Sequence, residues 1–321
     1  MNLASWFAVR RELSSKKRML LSVGSFLLPL LIWCMVSYVP GIWHPMVMIS
    51  NPGDVDYFQN GMLVDRDAFD EELKNMQSAH KALPKGDPAN PIYLPAPHEV
   101  AKAFYTGFTT PPQQQDGQWL HESLLHSIKI IFWGFVLSSL IGVPLGILCG
   151  TYSAISRLTE PFVEFFRYLP APAFGALAVA VLGIYDGPKI AIIVIGTLFQ
   201  QILIIANTTR NLDYALIEAA LTLGTNRFKL LFHVILPGIL PALYRDQRIL
   251  LGWAWTYLIV AELIGTSSGI TWFITQQARY QHFDNVYAAI IMIGLLGLGG
   301  DLILAAIGKR LFRWDRPANK E

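Results

Sequence analysis

Ile130–Ser156 reads IIFWGFVLSSLIGVPLGILCGTYSAIS, without one Asp, Glu, Lys or Arg. A helix of roughly 20 apolar residues crosses about 30 Å of hydrocarbon, so this run is long enough to span a bilayer. Met19–Val39, Tyr168–Tyr185 and Ile190–Thr209 are charge-free in the same way. The whole chain is 53% hydrophobic and 15% charged, against about 25% charged in soluble domains. In hydrocarbon each backbone N–H and C=O must be satisfied within its own segment, which selects helices for such runs. The expected class is an all-α integral membrane protein of about six transmembrane helices.

Working outward, the first span is Met19–Val39 and the second Leu124–Gly150. The third is Phe162–Ile184, where Pro170 and Pro172 are expected to kink or unwind it. The fourth is Ile190–Thr209, the fifth Pro237–Gly265 and the sixth Tyr287–Gly308. Arg10, Arg11, Lys16, Lys17 and Arg18 ahead of the first run resemble a signal peptide. The run is too long for one, and Pro40, Trp43 and Pro45 stand where a small-x-small cleavage site belongs, so an uncleaved helix is expected.

Charge placement orients the spans, because Lys and Arg accumulate on the cytoplasmic side. With the N-terminus inside, that side holds the leading bases, Arg157, Arg210, Arg227, Lys229 and the tail Lys309, Arg310, Arg313, Arg316 and Lys320. The short outside loops then hold Lys189 and Arg279. Both termini are expected in the cytoplasm. The polar, acidic stretch after the first span falls outside.

No G-x-x-x-x-G-K-[ST] phosphate cradle occurs; Gly265-Thr-Ser-Ser-Gly269 lacks the lysine. No Ser/His/Asp or His/Cys set has catalytic spacing, and Cys34 and Cys149 sit in apolar runs with neither disulfide nor metal spacing. Energy for any pumping must come from a partner or an ion gradient. An ion-gradient transporter or channel would place acid or His relays inside several spans; Glu262 and Asp301 are the acids on offer. A membrane scaffold without transport is the third alternative.

The segment between spans four and five separates these readings. Glu218-Ala219-Ala220-Leu221-Thr222-Leu223-Gly224 is followed, after nine residues, by Val234-Ile235-Leu236-Pro237. Ala219 and Ala220 leave room for another protein to approach a helix closely, and Gly224 takes the positive φ that reverses the chain. Pro237 begins the next helix, where its missing N–H costs little. Such an elbow on the basic side is a lever on spans four and five.

This pattern resembles the EAA loop of binding-protein-dependent ATP-binding-cassette (ABC) importer permeases, E-A-A, three residues, G, nine residues, I-x-L-P. Glu218, Ala219, Ala220, Gly224, Leu236 and Pro237 match, and Val234 replaces the usual isoleucine. Leu94-Pro95-Ala96-Pro97-His98-Glu99-Val100, Gly142-Val-Pro-Leu-Gly146 and Ala261-Glu262-Leu263-Ile264-Gly265 resemble motifs of the nitrate, sulfonate and taurine permeases. Phe166-Arg167-Tyr168-Leu169-Pro170 departs from their L-R-P-I-P at Tyr168. The resemblance covers residues 94–314 and implies a type I importer permease fold, one N-terminal helix plus a five-helix core. It divides the chain into 1–45 (cytoplasmic N-terminus and first span), 46–93 (extracytoplasmic insertion), 94–309 (core, with the coupling loop at 210–237) and 310–321 (basic tail).

It further implies a transport subunit of the bacterial inner membrane, itself no enzyme and without cofactor or metal. ATP and Mg would be bound by partner ABC ATPase subunits docked on the loop. An extracytoplasmic binding protein would deliver a small anion such as a sulfonate, taurine or nitrate, and a second permease copy would complete a homodimer. Membrane lipid is the remaining partner; nucleic acid is not one.

Polar groups inside spans are costly and so are functional candidates. Gln200, Gln201, Trp255 and Glu262 are the candidates for the translocation path, the neutral amides because they bind anion oxygens without trapping them. Glu262 would repel an anion and is instead expected to brace a gate or face the binding protein. Arg167 is expected at the interface and Arg248 against a carboxylate or carbonyl. Gly297, Gly299 and Gly300 beside Asp301 suggest close helix packing with a buried polar partner. In the insertion, Phe69, Leu73 and Met76 form an apolar stripe within 67–82, while Pro84, Pro88, Pro91, Pro95 and Pro97 are expected to break regular structure. A mobile linker, a cap or docking element for the binding protein, and a contact with a second subunit all fit that composition.

Overall fold

The computed structural model describes residues 14–39, 41–112, 117–264 and 268–315. Arg10, Arg11, Pro40, Gly265, Arg316 and Lys320, which entered the sequence reading, lie outside the described residues. The chain divides into two compact units, Met1–Thr106 with Gln277–Ala288, and Gly107–Gln276 with Ala289–Glu321.

The first unit starts with α1, Ser15–Tyr38, which is apolar on every face and long enough to span a membrane. Beyond it, β1 (Met46–Asn51), β2 (Leu63–Asp65), α2 (Arg66–Ser78) and β3 (Lys85–Ala89) fold together. The strands form an antiparallel sheet in the order β2-β1-β3, with Val47 opposite both Val64 and Pro88. Alternation along β1 buries Val47 and Ile49 and exposes Met48, as a strand covered on one face requires. Phe69, Leu73 and Met76 of α2 pack on Val47, Ile49, Val55 and Phe58, so the stripe finds its partner within the insertion. Each fully buried side chain of this kind contributes roughly 2 kcal/mol.

Of the three readings of the insertion, the mobile linker is the one that this folded sheet and helix do not fit. The proline-rich segment does not dissolve regular structure at Pro88, because β3 is an edge strand and an edge tolerates a residue without N–H. Asp54 pins the approach to β3: its amide donates to the Ala82 carbonyl (3.1 Å) and its Oδ2 accepts from the Ala82 amide (2.9 Å). Helix α3, Pro97–Thr109, follows, and Glu99 accepts the Ala96 amide at 2.7 Å.

The second unit is helical. It contains α4 (Leu120–Thr151), α5 (Ser153–Arg167), a 3-10 turn (Ala171–Phe174), α6 (Gly175–Leu182) and α7 (Asp186–Arg210). Next come α8 (Tyr214–Thr222), α9 (Arg227–Leu230), a π-helical turn (Leu231–Ile235) and α10 (Leu236–Ile264). Helices α11 (Ile270–Arg279) and α12 (Phe283–Leu311) complete the chain. Among the described residues, five helices are long and apolar enough to cross a membrane, and six if one bent pair counts as a span.

That pair covers the third expected span, and it breaks where Pro170 and Pro172 were expected to kink or unwind it: α5 and the segment Ala171–Leu182 meet at 87°. Pro170 and Pro172 lack the N–H groups that would carry the helix through. Gly183, at φ +81°, ends α6. Helix α11 also stands where only an outside loop was expected.

The second unit is built around the α4–α7 seam. Gly142, Gly146 and Gly150 recur every fourth residue of α4, so they share one face. A Cβ added at Gly142 would lie 2.7 Å from Gln201 Oε1, and one at Gly146 would lie 2.8 Å from Ile205 Cβ. Small residues here let two membrane helices approach backbone to backbone, which is how dispersion and interhelical hydrogen bonds replace the hydrophobic effect in lipid.

Candidate functional site

The elbow is built by local chain chemistry. Asp213 caps α8 by accepting the Ala215 amide at 3.0 Å. At the other end Gly224 adopts φ +76°; its amide donates to Leu221 O (2.9 Å) and the Thr225 amide to Ala220 O (3.1 Å). This pair of bonds is the Schellman closure that a glycine in the left-handed region permits. Asn226 then caps α9 through the Lys229 amide at 2.8 Å. The wide turn Leu231–Ile235 passes into α10, with Pro237 in its first turn.

One side of the elbow is anchored and the other is open. Ile235, Leu212, Leu230 and Leu236 pack with Ile147 of α4, Ile205 of α7 and Ile239 of α10. Ala220 is buried, whereas Glu218, Ala219, Gly224 and Pro237 are exposed. Leu223 is 86% and Phe228 69% exposed, beside exposed Leu216 and Phe232. Large apolar side chains outside the bilayer mark a protein contact. Arg210 fixes the end of α7 to α5 by pairing with Glu160 and donating to Ser156 Oγ at 3.2 Å.

Gln200 and Gln201 are neighbours in sequence but sit about 100° apart around the helix, and their surroundings differ. Gln201 is fully buried. Its Oε1 accepts from Ser138 Oγ (2.9 Å), and its Nε2 donates to Ser139 Oγ (2.9 Å) and Gln247 Oε1 (2.7 Å). It therefore ties α4, α7 and α10 together, and its amide does not reach the protomer surface. Gln200 is half-buried, and among the described residues its side chain makes no hydrogen bond.

Glu262 is likewise enclosed, only 2% exposed. Ser127 of α4 donates from Oγ to its Oε1, and the Thr271 amide donates to Oε2 at 2.8 Å. The Ile270 amide donates to Ser127 Oγ at 2.9 Å. A carboxylate thus occupies the N-terminus of α11, where free amides and the helix dipole favour negative charge. Gly269, at φ +103°, leaves the space this carboxylate fills. The enclosed carboxylate holds α4, α10 and α11 together.

A second brace was illegible in the sequence. Lys189, expected in an exposed loop, is fully buried. Its Nζ donates to Ser268 Oγ (2.6 Å) and Ser268 O (3.2 Å) and lies 3.6 Å from the Asp186 carboxylate. His126 of α4 meets Asp186 Oδ1 at 3.0 Å and Ser268 Oγ at 3.2 Å. The chain after α10 is thereby strapped to α4 and α7 at two points.

Trp255 lines a cavity of about 540 Å³ with Ile131, Phe132, Leu251 and Ile293. Arg248 and Asp301 lie in the same lining, and Arg248 donates from Nη2 to both carboxylate oxygens at 2.8 Å and from Nε to Oδ1 at 3.0 Å. The carboxylate partner expected for Arg248 is there. The close helix packing expected around Asp301 is not: a Cβ at Gly297, Gly299 or Gly300 would have no atom within 4 Å, and the Asp301 side chain is 49% exposed. Among the described residues, no group of three or more His, Cys, Asp or Glu is placed to hold a metal ion.

Comparison with known proteins follows the same lines. Residues 142–313 match the family described as binding-protein-dependent transport system inner membrane component. A probable ABC transporter permease protein of Brucella abortus is 32% identical over 71% of this chain and 88% of its own. The taurine transport system permease protein TauC of Escherichia coli is 29% identical over 70% of this chain and 81% of its own. Among solved structures, the inward-facing MetNI methionine ABC transporter superposes with a TM-score of 0.54 over 64% of this chain and 100% of that one, at 18% identity, a likeness of fold. The chain belongs to the binding-protein-dependent transport system inner membrane component family and is a membrane-spanning permease subunit of an ABC importer, a transport component and not an enzyme.

Proposed function

We propose that this subunit passes a small organic or inorganic acid anion, a sulfonate such as taurine first and nitrate next, across the bacterial inner membrane as one half of a homodimer. An extracytoplasmic binding protein delivers the solute. Two ATPase subunits, which bind the ATP and Mg, dock on the elbow from Glu218 to Pro237. Both termini lie in the cytoplasm, in keeping with the excess of Lys and Arg beside that face of the spans.

The observation that supports this most is the elbow, a Schellman-closed turn with an anchored apolar back and an exposed face of Leu216, Glu218, Ala219, Leu223 and Phe228. Docking an ATPase there covers side chains otherwise left wet. Among the path candidates, Gln200 and Trp255 keep that role. Gln201 and Glu262 serve as braces that hold α4, α7, α10 and α11 in register. The solute class draws on the taurine relative and on the neutral amide at Gln200, which binds anion oxygens reversibly.

The test is ATP-driven uptake of labelled taurine, an alkanesulfonate and nitrate into proteoliposomes holding this subunit with its ATPase and binding protein. Saturable, ATP-dependent uptake of one of them is expected. Uptake that ignores ATP but follows an imposed ion gradient would overturn the coupling scheme, and uptake of none would overturn the solute class.

A further inference from the structure

We propose that Glu164 and Arg167 of α5 line the translocation path in the middle of the membrane and together take a zwitterion, its ammonium on Glu164 and its acid group on Arg167. This rests on the importer reading above and narrows its solutes to short aminosulfonates such as taurine. Depth follows from the packing of α5 along α7. Glu160 pairs with Arg210 at the end of α7. Val163 packs with Ile202 and Ala206, and Phe166 stacks on Phe199 with ring centroids 5.2 Å apart. Helix α5 thus climbs α7 in the opposite direction, and Phe199 stands one residue past the centre of the 25 residues of α7. Arg167, expected at the membrane interface, follows Phe166 at that depth.

Helix α5 has three faces. Ile155, Val163 and Phe166 pack inward. Leu158, Phe162 and Phe165, which are 82%, 58% and 63% exposed, recur at i, i+4 and i+7 on a second face that suits lipid. Arg157, Glu160, Glu164 and Arg167 recur at i, i+3, i+7 and i+10 on the third. Glu160 is taken by Arg210, but Glu164 and Arg167 are exposed, and among the described residues Glu164 makes no hydrogen bond or ion pair. Arg167 donates from Nη2 to Tyr168 Oη at 3.0 Å and lies 4.9 Å over that ring, without a carboxylate partner among the described residues. Charges at mid-depth are costly in hydrocarbon and face water or a partner. In the homodimer proposed above, a twofold axis along the membrane normal sets each residue opposite its own copy. Arg167 then faces the partner's Arg167, and Glu164 the partner's Glu164, so direct contact repels and a wet path suits both. Helix positions three apart hold their Cβ atoms about 5–6 Å from each other. That spacing matches a short solute with an ammonium at one end and an acid group at the other. Nitrate has no ammonium, and an alkanesulfonate leaves Glu164 unmet.

The subunit with its ATPase and binding protein in proteoliposomes provides two readouts. In a cysteine-free background, Glu164→Cys and Arg167→Cys are expected to react with a charged thiol reagent about tenfold or more faster than Phe162→Cys, because the reactive thiolate needs water. This labelling involves no solute, so it tests the lining even where the wild type takes up neither sulfonate, a result that overturns the solute class alone. ATP-driven uptake of labelled taurine and ethanesulfonate tests the zwitterion. The wild type is expected to favour taurine. Glu164→Gln is expected to cut the taurine-to-ethanesulfonate ratio about tenfold or more, a ratio that loss of folded protein leaves alone. Arg167→Gln is expected to cut uptake of both, and Arg167→Lys to recover part of it. The lining falls if Glu164→Cys and Arg167→Cys react as slowly as Phe162→Cys, whether lipid or a protein contact covers them. The zwitterion falls if Glu164→Gln keeps the wild-type ratio or Arg167→Gln keeps wild-type uptake.

Discussion

Gly224 allows the coupling role of the elbow to be tested with unusually few confounding effects. It stands at φ +76°, and no atom lies within 4 Å of a Cβ built on it. Substitution therefore meets no steric clash, and its effect is the backbone preference alone. An L-residue in the left-handed region costs roughly 1–2 kcal/mol, a β-branched one up to about 3 kcal/mol, and Asn less because its side chain tolerates that region. Gly224→Ala should then weaken the turn by about 1 kcal/mol and Gly224→Val by about 2–3 kcal/mol. A shift of 2 kcal/mol is about thirty-fold in the population of the closed turn. Opening it releases the Gly224–Leu221 and Thr225–Ala220 bonds that hold the exposed face in place. The assay is ATP-driven uptake together with ATPase co-purification, at matched amounts of subunit in the membrane. The expected order is wild type close to Gly224→Asn, then Ala, then Val. Wild-type uptake in the Val variant would refute the reasoning. So would an Asn variant as poor as Val, which would trace the defect to side-chain size at the docking face and not to φ.

Glu262→Ala strands the Ser127 hydroxyl and the Thr271 amide and should lower stability by about 3 kcal/mol, or about 6–12 °C in thermal midpoint, whereas Gln200→Ala should change solute uptake with a midpoint shift under about 1 °C. Thermal unfolding of the purified variants separates brace from path, and an unaltered midpoint for Glu262→Ala would return that residue to the path. Gly146→Leu drives a side chain into Ile205 across the α4–α7 seam, so it should cost about 1–3 kcal/mol or more and reduce folded yield, read by size-exclusion chromatography; a wild-type yield and midpoint would show that the seam is not tightly packed. In a cysteine-free background, Ser78→Cys should react with an impermeant thiol reagent from outside intact cells and Arg313→Cys only after lysis, and the reverse pattern would invert the topology.

What the sequence reveals and conceals follows from the range of the forces involved. Spans are legible because transfer into hydrocarbon sums over consecutive residues, and the elbow because Gly224 and Asp213 act through local backbone bonds. The amphipathic period of Phe69, Leu73 and Met76 exposes α2 for the same reason. Strand β3, Lys-Gly-Asp-Pro-Ala, has the composition of a turn, and only its pairing with β1 makes it a strand. Lys189 reads as a surface base because its partner Ser268 lies far along the chain. Nothing in composition separates Gln201 from Gln200; the seam glycines that admit one of them carry the signal, but they are read only once α4 is known to face α7. The third span conceals its 87° turn because two prolines predict a break without its angle.

The braces and the elbow share one element. Helix α10 leaves the elbow at Leu236 and reaches the far strap at Glu262, and its 29 residues extend about 43 Å at 1.5 Å per residue, roughly the thickness of a bilayer with its headgroups. Midway, Gln247 meets Gln201, so α10 is linked to α7 at its centre and to α4 and α11 at its far end. A rod fixed only at the elbow would dissipate displacement along its side chains. One clamped by buried hydrogen bonds at its middle and far end must either carry α4, α7 and α11 with it or break those bonds, each worth about 1 kcal/mol or more in a dry interior. On the proposed docking of an ATPase at the elbow, force applied at Glu218–Gly224 would pass along α10 to the strap at 268–271. On the same proposal Gln201 and Glu262, both enclosed, act as couplings of that transmission.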